Sequence, residues 1–439
     1  MVYDSRRVEP GGMFVALPGE SVDGHDFAAA AIEAGAAGVL ASRPVGVPAV
    51  VVPDVRAAYG QLARAVIDRL PDITVIGVTG SVGKTSTKDL LGQVLGTLAP
   101  TVANVGSTNN ELGLPQTVAQ ANDDTRYLVL EMGARGIGHI TYLTGIAPPR
   151  VGVVTRIGSA HLGEFGSTDN IVTAKGELVE ALPAGDEGGL AVLNADDALV
   201  AGMTARTRAR VLTYGLRPGA DVRAIDIELD EQGRPRFRLA IRSAEARVRL
   251  RVHGGHQVSN ALAAAAVAAG LGYPLDATAQ ALSDAEALSP GRMQVTIRPD
   301  GVTIIDDAYN ASPDAMGAAL TALADMTAPT GRRAVAVLGE MAELGDQAMS
   351  IHYEVGERVA ASGVGWLVAI GSDGADEYAR GAAGQTVIDR VPDPDHALAT
   401  LRAGLQPGDV VLVKAANAVG LQVLARQLIE QEATAQRRA

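Results

Sequence analysis

From Ile73 to Arg206 the chain repeats one pattern, a short apolar run, a turn and a helical segment, and few folds can absorb such a repeat. The pairs are 74–78 into 85–98, 127–132 into 138–145, 151–157 into 169–181 and 190–193 into 197–206. Strands that alternate with helices are joined by crossovers, and crossovers cover both faces of a sheet. The region is therefore expected to be a mostly parallel sheet between two helical layers. Between Asp221 and Val252 the period falls to two around the turn Glu231-Gln232-Gly233, which predicts an antiparallel hairpin at the sheet edge. A helix over 256–271 closes the region.

Two smaller units flank it. Residues 12–17 and 49–52 read as strands around a helix at 26–37, ending at the break Leu70-Pro71-Asp72. Beyond the linker 287–291, apolar runs at 302–306, 334–338, 366–370, 386–391 and 410–414 alternate with helices and predict a second open sheet without a GxGxxG motif. The expected fold is α/β in three domains. They are a small N-terminal α/β domain (1–71), a central parallel-sheet domain (72–287) with a glycine-rich P-loop at 80–85, and a C-terminal Rossmann-like domain (288–439). The polar tail 430–439 is expected to fray.

Composition narrows the functions. The chain has no cysteine, which excludes disulfides, thiolate metal sites and cysteine nucleophiles, and its net charge of −13 argues against nucleic-acid binding. No signal-like start and no apolar run near the roughly 20 residues of a membrane span is present, the alanine-rich stretch 261–269 being too short. A cytoplasmic, monomeric protein is expected.

Lysine is rare, with 4 lysines against 33 arginines. Lys84, Lys88, Lys175 and Lys414 are thus candidates for places that need a compact ammonium or an amine able to lose its proton. Lys84 lies in Val78-Thr79-Gly80-Ser81-Val82-Gly83-Lys84-Thr85-Ser86, a glycine turn between a buried strand and a helix. The free N–H groups and positive end of that helix make a phosphate cradle. Gly80 and Gly83 allow the backbone to approach, Ser81 and Ser86 flank the phosphates, Lys84 reaches the β- and γ-phosphates, and the Thr85 hydroxyl serves Mg²⁺. Val78 stands where the strict motif has its first glycine. Ligands of open α/β sheets bind beyond the carboxyl ends of strands, so Glu131 and His161, each following a parallel strand, are expected on the same rim.

At these residues the sequence resembles the Mur ligases. The resemblance covers nearly the whole chain. It includes Asp4-Ser5-Arg6, Asp23-Gly24-His25-Asp26-Phe27, the phosphate loop, Asn109-Asn110-Glu111-Leu112-Gly113, Leu130-Glu131-Met132-Gly133, His161-Leu162-Gly163-Glu164-Phe165-Gly166-Ser167, Ala174-Lys175-Gly176-Glu177, Pro290-Gly291-Arg292, Asp306-Asp307-Ala308-Tyr309-Asn310-Ala311-Ser312-Pro313 and Leu338-Gly339-Glu340-Met341. It implies an ATP-dependent, ADP-forming ligase of peptidoglycan synthesis, with ATP and Mg²⁺ as cofactors and a UDP-linked peptide acid and a dipeptide amine as small-molecule substrates. By the same resemblance Thr85, Glu131, His161 and a carbamylated Lys175 serve the metals. Asn260, Arg292, Asp307, Tyr309 and Asn310 hold the nucleotide, and Ser5, Arg6, Asn109, Asn110 and Lys414 meet substrates.

The chemistry suits those parts. A carboxylate resists an amine until γ-phosphoryl transfer makes it an acyl phosphate, and bringing two anions together requires cations. The chain departs from the family where Arg156 replaces an asparagine, Val82 an asparagine or serine, and Asn417 a charged residue, and where the N-terminal domain begins almost at Asp4, from which part of the uridine pocket is expected to be missing. Two alternatives stay open at this point: a paralogue joining another acid and amine in specialised metabolism, and a P-loop NTPase or binding module that forms no bond.

Overall fold

The computed structural model describes residues 1–19, 22–158, 162–384 and 386–435. Three sheets follow one another along the chain. The first is parallel, β1 (Met13–Val15), β2 (Gly38–Ala41) and β3 (Ala49–Val51), in that order. The helix expected at 26–37 is a 3₁₀ turn, Gly24–Phe27, followed by the short α-helix Ala28–Glu33. It stops at Gly35, whose φ of 105° is open to glycine alone at little cost, and so frees 38–41 to become a strand the alanine-rich sequence had hidden.

The central sheet has nine strands: β4 (Thr74–Thr79), β5 (Thr101–Ala103), β6 (Tyr127–Glu131), β7 (Val151–Val154), β8 (Leu190–Asn194), β9 (Arg210–Gly215), β10 (Val222–Leu229), β11 (Pro235–Ile241) and β12 (Ala244–Arg249). Their order is β12-β11-β10-β9-β8-β7-β4-β6-β5. Pairing is parallel from β5 through β10 and antiparallel across β10, β11 and β12, so the expected edge hairpin carries a third strand. The strand expected at 151–157 ends at Val154, and the helix expected at 197–206 is a four-residue α-turn, Ala198–Ala201, continued as the 3₁₀ segment Gly202–Arg206. The chain leaves β4 for β5 and β6 on one side and continues to β7 and β8 on the other. The order therefore reverses at β4, which opens a crevice beyond its carboxyl end.

The third sheet comprises β13 (Gln294–Ile297), β14 (Thr303–Asp306), β15 (Ala334–Gly339), β16 (Trp366–Ile370), β17 (Val387–Val391) and β18 (Val410–Lys414). Its order is β13-β14-β18-β15-β16-β17, parallel except for β13 at the edge.

Packing ties these sheets together. The alanine-rich helix Gln257–Gly270 is a core element, with every residue from 261 to 268 fully covered, because small side chains let it lie close against the helix Lys84–Gly96. The helix Val55–Asp68, capped by Asp54, serves two cores at once. Val55 and Tyr59 pack with Val15 and Leu40 of the first sheet, while Ala63 joins Leu114, Val118 and Ile140 of the central domain. Among the described residues no helix is long and apolar enough to cross a membrane.

Glu177 caps a neighbouring helix from inside the core: it is 6% exposed and accepts from Gly138 N (2.5 Å), Thr141 N (2.8 Å) and Thr141 Oγ1 (3.0 Å). Glu177→Ala would leave those donors unsatisfied and should cost about 1–3 kcal/mol. A urea denaturation midpoint unchanged from the parent would contradict this role.

Candidate active site

The loop after β4 is shaped by close contacts that only glycine permits. A Cβ on Gly80 (φ 147°) would lie 1.9 Å from Thr155 Oγ1, and one on Gly83 (φ 85°) would lie 2.6 Å from Asn260 Oδ1. The end of β7 holds the loop in place. Thr155 Oγ1 donates to Val82 O (2.7 Å), and Ser81 N donates to Arg156 O (2.7 Å). The helix Lys84–Gly96 then begins with its free N–H groups facing the crevice. The Lys84 ammonium donates to Gly80 O (2.8 Å) and Ser81 O (3.3 Å). Burial lowers its pKa and Glu131 opposes that shift, with the Arg292 charge adding a smaller lowering effect.

Glu131 closes β6 beside this loop and is 1% exposed. Its Oε2 accepts from Thr85 Oγ1 (2.8 Å), and its Oε1 accepts from Ser107 Oγ (2.9 Å) and Asn109 Nδ2 (2.6 Å). Its own N–H donates to Asn104 Oδ1 (2.9 Å). The carboxylate and the Thr85 hydroxyl are hard oxygen donors beside a phosphate loop, the donor type magnesium selects. Among the described residues no group of three His, Cys, Asp or Glu side chains is gathered for a metal; His161 lies outside the described residues.

Lys175 comes from the helix Thr168–Glu180 and is 1% exposed. Its ammonium stands 5.7 Å from the Phe165 ring centroid. Burial, and secondarily the Lys84 charge, push its pKa down to about 7, against the pull of Glu131. Near neutral pH this lysine is therefore a free amine in a substantial fraction of molecules.

The third sheet supplies the facing wall. Arg292 stacks on Tyr309, its guanidinium 4.2 Å from the ring centroid, and donates to Thr85 Oγ1 at 3.4 Å. On the central domain's side, within the helix Gln257–Gly270, Asn260 Nδ2 donates to Gln257 Oε1 (2.8 Å), and Thr87 Oγ1 of the phosphate-loop helix donates to Asn260 Oδ1 (3.2 Å). Lys414 is 2% exposed and donates to Asp307 Oδ2 (2.5 Å) and Asn310 O (2.9 Å). Its charge is thus committed to fixing Asp307, although it borders the cleft.

One cleft of about 2070 Å³ joins these groups. Its lining includes Ser81 through Ser86, Asn109, Asn110, Glu131, Lys175, Asn260, Arg292, Asp307, Tyr309, Asn310 and Lys414. Single-ligand sites are typically about 300–1,000 Å³, so this one has room for a nucleotide and further substrates together. Ser5 and Arg6 do not line it; the Arg6 guanidinium is exposed and paired with Asp4. Asn109 and Asn110 do line it, but Asn109 also steadies Glu131, and Asn110 Oδ1 accepts from Leu112 N and Gly113 N. Three of the four departures from the family pattern, Val82, Arg156 and Asn417, border the cleft. Sequence reading passed over Thr155, Ser107 and Asn104. Their polar side chains sit in loops at no informative spacing, and only the fold brings them to the loop and to Glu131.

Profiles of known families match in three consecutive blocks: the Mur ligase family catalytic domain over residues 1–82, the Mur ligase middle domain over 78–268, and the Mur ligase glutamate ligase domain over 291–417. The chain is a member of the Mur ligase family. It is accordingly an ATP-dependent, ADP-forming ligase. A UDP-N-acetylmuramoyl-tripeptide--D-alanyl-D-alanine ligase of Mycobacterium bovis is 49% identical over 97% of this chain and 91% of its own length. The ligase of that name from Escherichia coli (strain K12) is 34% identical over 97% of this chain and 93% of its own length. Among solved Mur ligases, MurF from Acinetobacter baumannii superposes with a TM-score of 0.87 at 32% identity, covering 98% of this chain and 93% of its own. MurF from Thermotoga maritima in complex with ADP gives 0.84 at 31% identity, covering 100% and 98%.

Lys84→Ala should stop ADP formation, lowering turnover by at least about a hundredfold, as loss of a preorganised charge on a transferring phosphoryl group does. Coupled-enzyme detection of ADP measures it, and near-parental ADP release would remove Lys84 from that place.

Proposed function

We propose that this ligase joins the amine of D-alanyl-D-alanine to the terminal carboxylate of UDP-N-acetylmuramoyl-tripeptide, in the cytoplasm, as a step of peptidoglycan synthesis. The observation that carries the reading is the 49% identity to a ligase of that name over 97% of this chain. The single cleft that gathers the phosphate loop, Glu131, Lys175 and the wall at 292–310 supports it. The proposed division of labour gives residues 1–71 the UDP end of the acid, 72–287 the triphosphate, and 288–439 the amine and the outer face of the nucleotide.

Backbone N–H groups of residues 80–85 and the Lys84 ammonium hold the β- and γ-phosphates. Asn260, Arg292, Asp307, Tyr309 and Asn310 fix the rest of the nucleotide. Magnesium, when bound through the Glu131 carboxylate and the Thr85 hydroxyl, supplies charge neutralisation between γ-phosphate and substrate carboxylate. The substrate carboxylate oxygen attacks the γ-phosphorus, ADP leaves, and the product is an acyl phosphate. The dipeptide amine then adds to the acyl carbon and loses a proton, and the tetrahedral adduct collapses to the amide as the C–O bond to inorganic phosphate breaks. Water must be kept out while the acyl phosphate exists, and closure of the C-terminal domain about 287–291 does this.

Lys175 enters as a carbamate. The ammonium first loses one proton to give the free amine, and the amine releases a second proton as it adds CO₂, so a buried cation becomes an anionic oxygen donor. An amine with pKa near 7 can do this at neutral pH, and a guanidinium cannot.

The reading predicts phosphate release only when both acid and amine are present. Release with neither would make the protein a plain NTPase, and stimulation by a different pair alone would make it a ligase of other substrates. A second test concerns pH. The neutral amine is lost as pH falls through about 7, so ¹³C-bicarbonate should give a protein carbamate signal above pH 7 that fades below it. Lys175→Arg should lack both the signal and ligation. An active Lys175→Arg variant would eliminate the carbamate.

A further inference from the structure

Lys88 takes no part in the chemistry above, yet it is 1% exposed, one turn into the helix that carries Lys84. A buried ammonium must be paired to be tolerated. Lys88 Nζ is, by the Asp89 carboxylate and by Asn104 O at 2.7 Å. Both partners lead onward. Asn104 is 2% exposed and its Oδ1 accepts the Glu131 N–H at 2.9 Å, so the carbonyl that Lys88 grips and the amide oxygen that positions Glu131 belong to one residue. Asp89 Oδ2 accepts the Ser289 N–H at 3.2 Å, at the interdomain linker. Gln93, one turn further along the same helix, exchanges two hydrogen bonds with the Glu286 backbone, at 2.9 and 3.0 Å. Three residues past Ser289, Arg292 returns to the site, donating to Thr85 Oγ1, which itself donates to Glu131 Oε2. The path closes on Glu131 from both sides.

We propose that Lys88 is a positioning residue that couples the Glu131 carboxylate to the linker carrying Arg292, so that the two walls of the cleft are set together. The inference rests on the functional reading only in assigning Glu131 to a divalent cation. Apolar residues of similar size would fill the space at Lys88 and Asp89, but they would join neither Asn104 nor Ser289. The ion pair is retained here for placement, since a buried pair is weak evidence for stability. Outer partners of a metal-binding carboxylate typically set its affinity by about 10–100-fold.

The test combines Lys88→Met with Asp89→Asn, which removes the link to Asn104 without stranding a buried charge and keeps an acceptor for Ser289. In the ligand-free protein, amide exchange at Glu131 should accelerate at least about tenfold while core amides of β7 and β8 keep their protection. In turnover assays the magnesium concentration for half-maximal rate should rise roughly 10- to 100-fold with the KM for the amine unchanged. Ser289→Pro cuts the circuit at its linker end, by removing the N–H that Asp89 accepts, and should raise the magnesium requirement in the same direction. Unchanged Glu131 exchange and unchanged magnesium dependence in whichever of these variants folds would overturn the proposal. The exchange measurement needs no substrate, so its outcome is independent of which acid and amine the enzyme joins.

Discussion

Everything in the cleft is arranged around one buried carboxylate. Glu131 is 1% exposed and accepts from Thr85, Ser107 and Asn109, and its field raises the pKa of both Lys84 and Lys175 against the lowering caused by burial. An anion so placed would be costly without these donors and cations. With them it becomes a preorganised acceptor of positive charge at the point where a triphosphate and a carboxylate must meet. The reversal of strand order at β4 decides that this point lies where it does. β6 brings the carboxylate to one side of the phosphate loop, and β7 brings Thr155 and Arg156 to the other.

The use of lysine follows the same logic. Lys88, Lys175 and Lys414 are at most 2% exposed, and Lys84 folds back over its own loop. Each is used differently. Lys414 is spent on Asp307 and Lys88 on Asp89 and Asn104, while Lys175 has its charge suppressed toward neutral pH. A compact ammonium can be enclosed by a few oxygen atoms, or can give up its proton; a guanidinium needs a wider planar set of acceptors and keeps its charge.

Much of this was legible in the sequence, for physical reasons. The loop at 80–85 announces itself because its glycines are forced by contact with Thr155 and Asn260, and the parallel strands because strands covered on both faces read as unbroken apolar runs. The elements that were not read include the strand Gly38–Ala41, the edge strands Thr101–Ala103 and Gln294–Ile297, and the helix Val55–Asp68. Three are short, and the helix divides its apolar positions between two cores, which blurs a single stripe. Ser5 and Arg6 entered through resemblance alone and lie away from the cleft lining. Ser107, Asn104 and Thr155 were invisible because what makes them functional is a tertiary contact, and no local periodicity encodes it.

The central claim is that the cleft turns an inert carboxylate into an acyl phosphate before the amine attacks. It is tested most directly by giving the enzyme an acid substrate labelled with ¹⁸O in the reacting carboxylate, with ATP and the amine, and measuring the isotopic mass of the phosphate released. Transfer of the γ-phosphoryl group to that carboxylate requires one ¹⁸O to leave with each phosphate. Phosphate free of label, with the amide formed, would contradict the account.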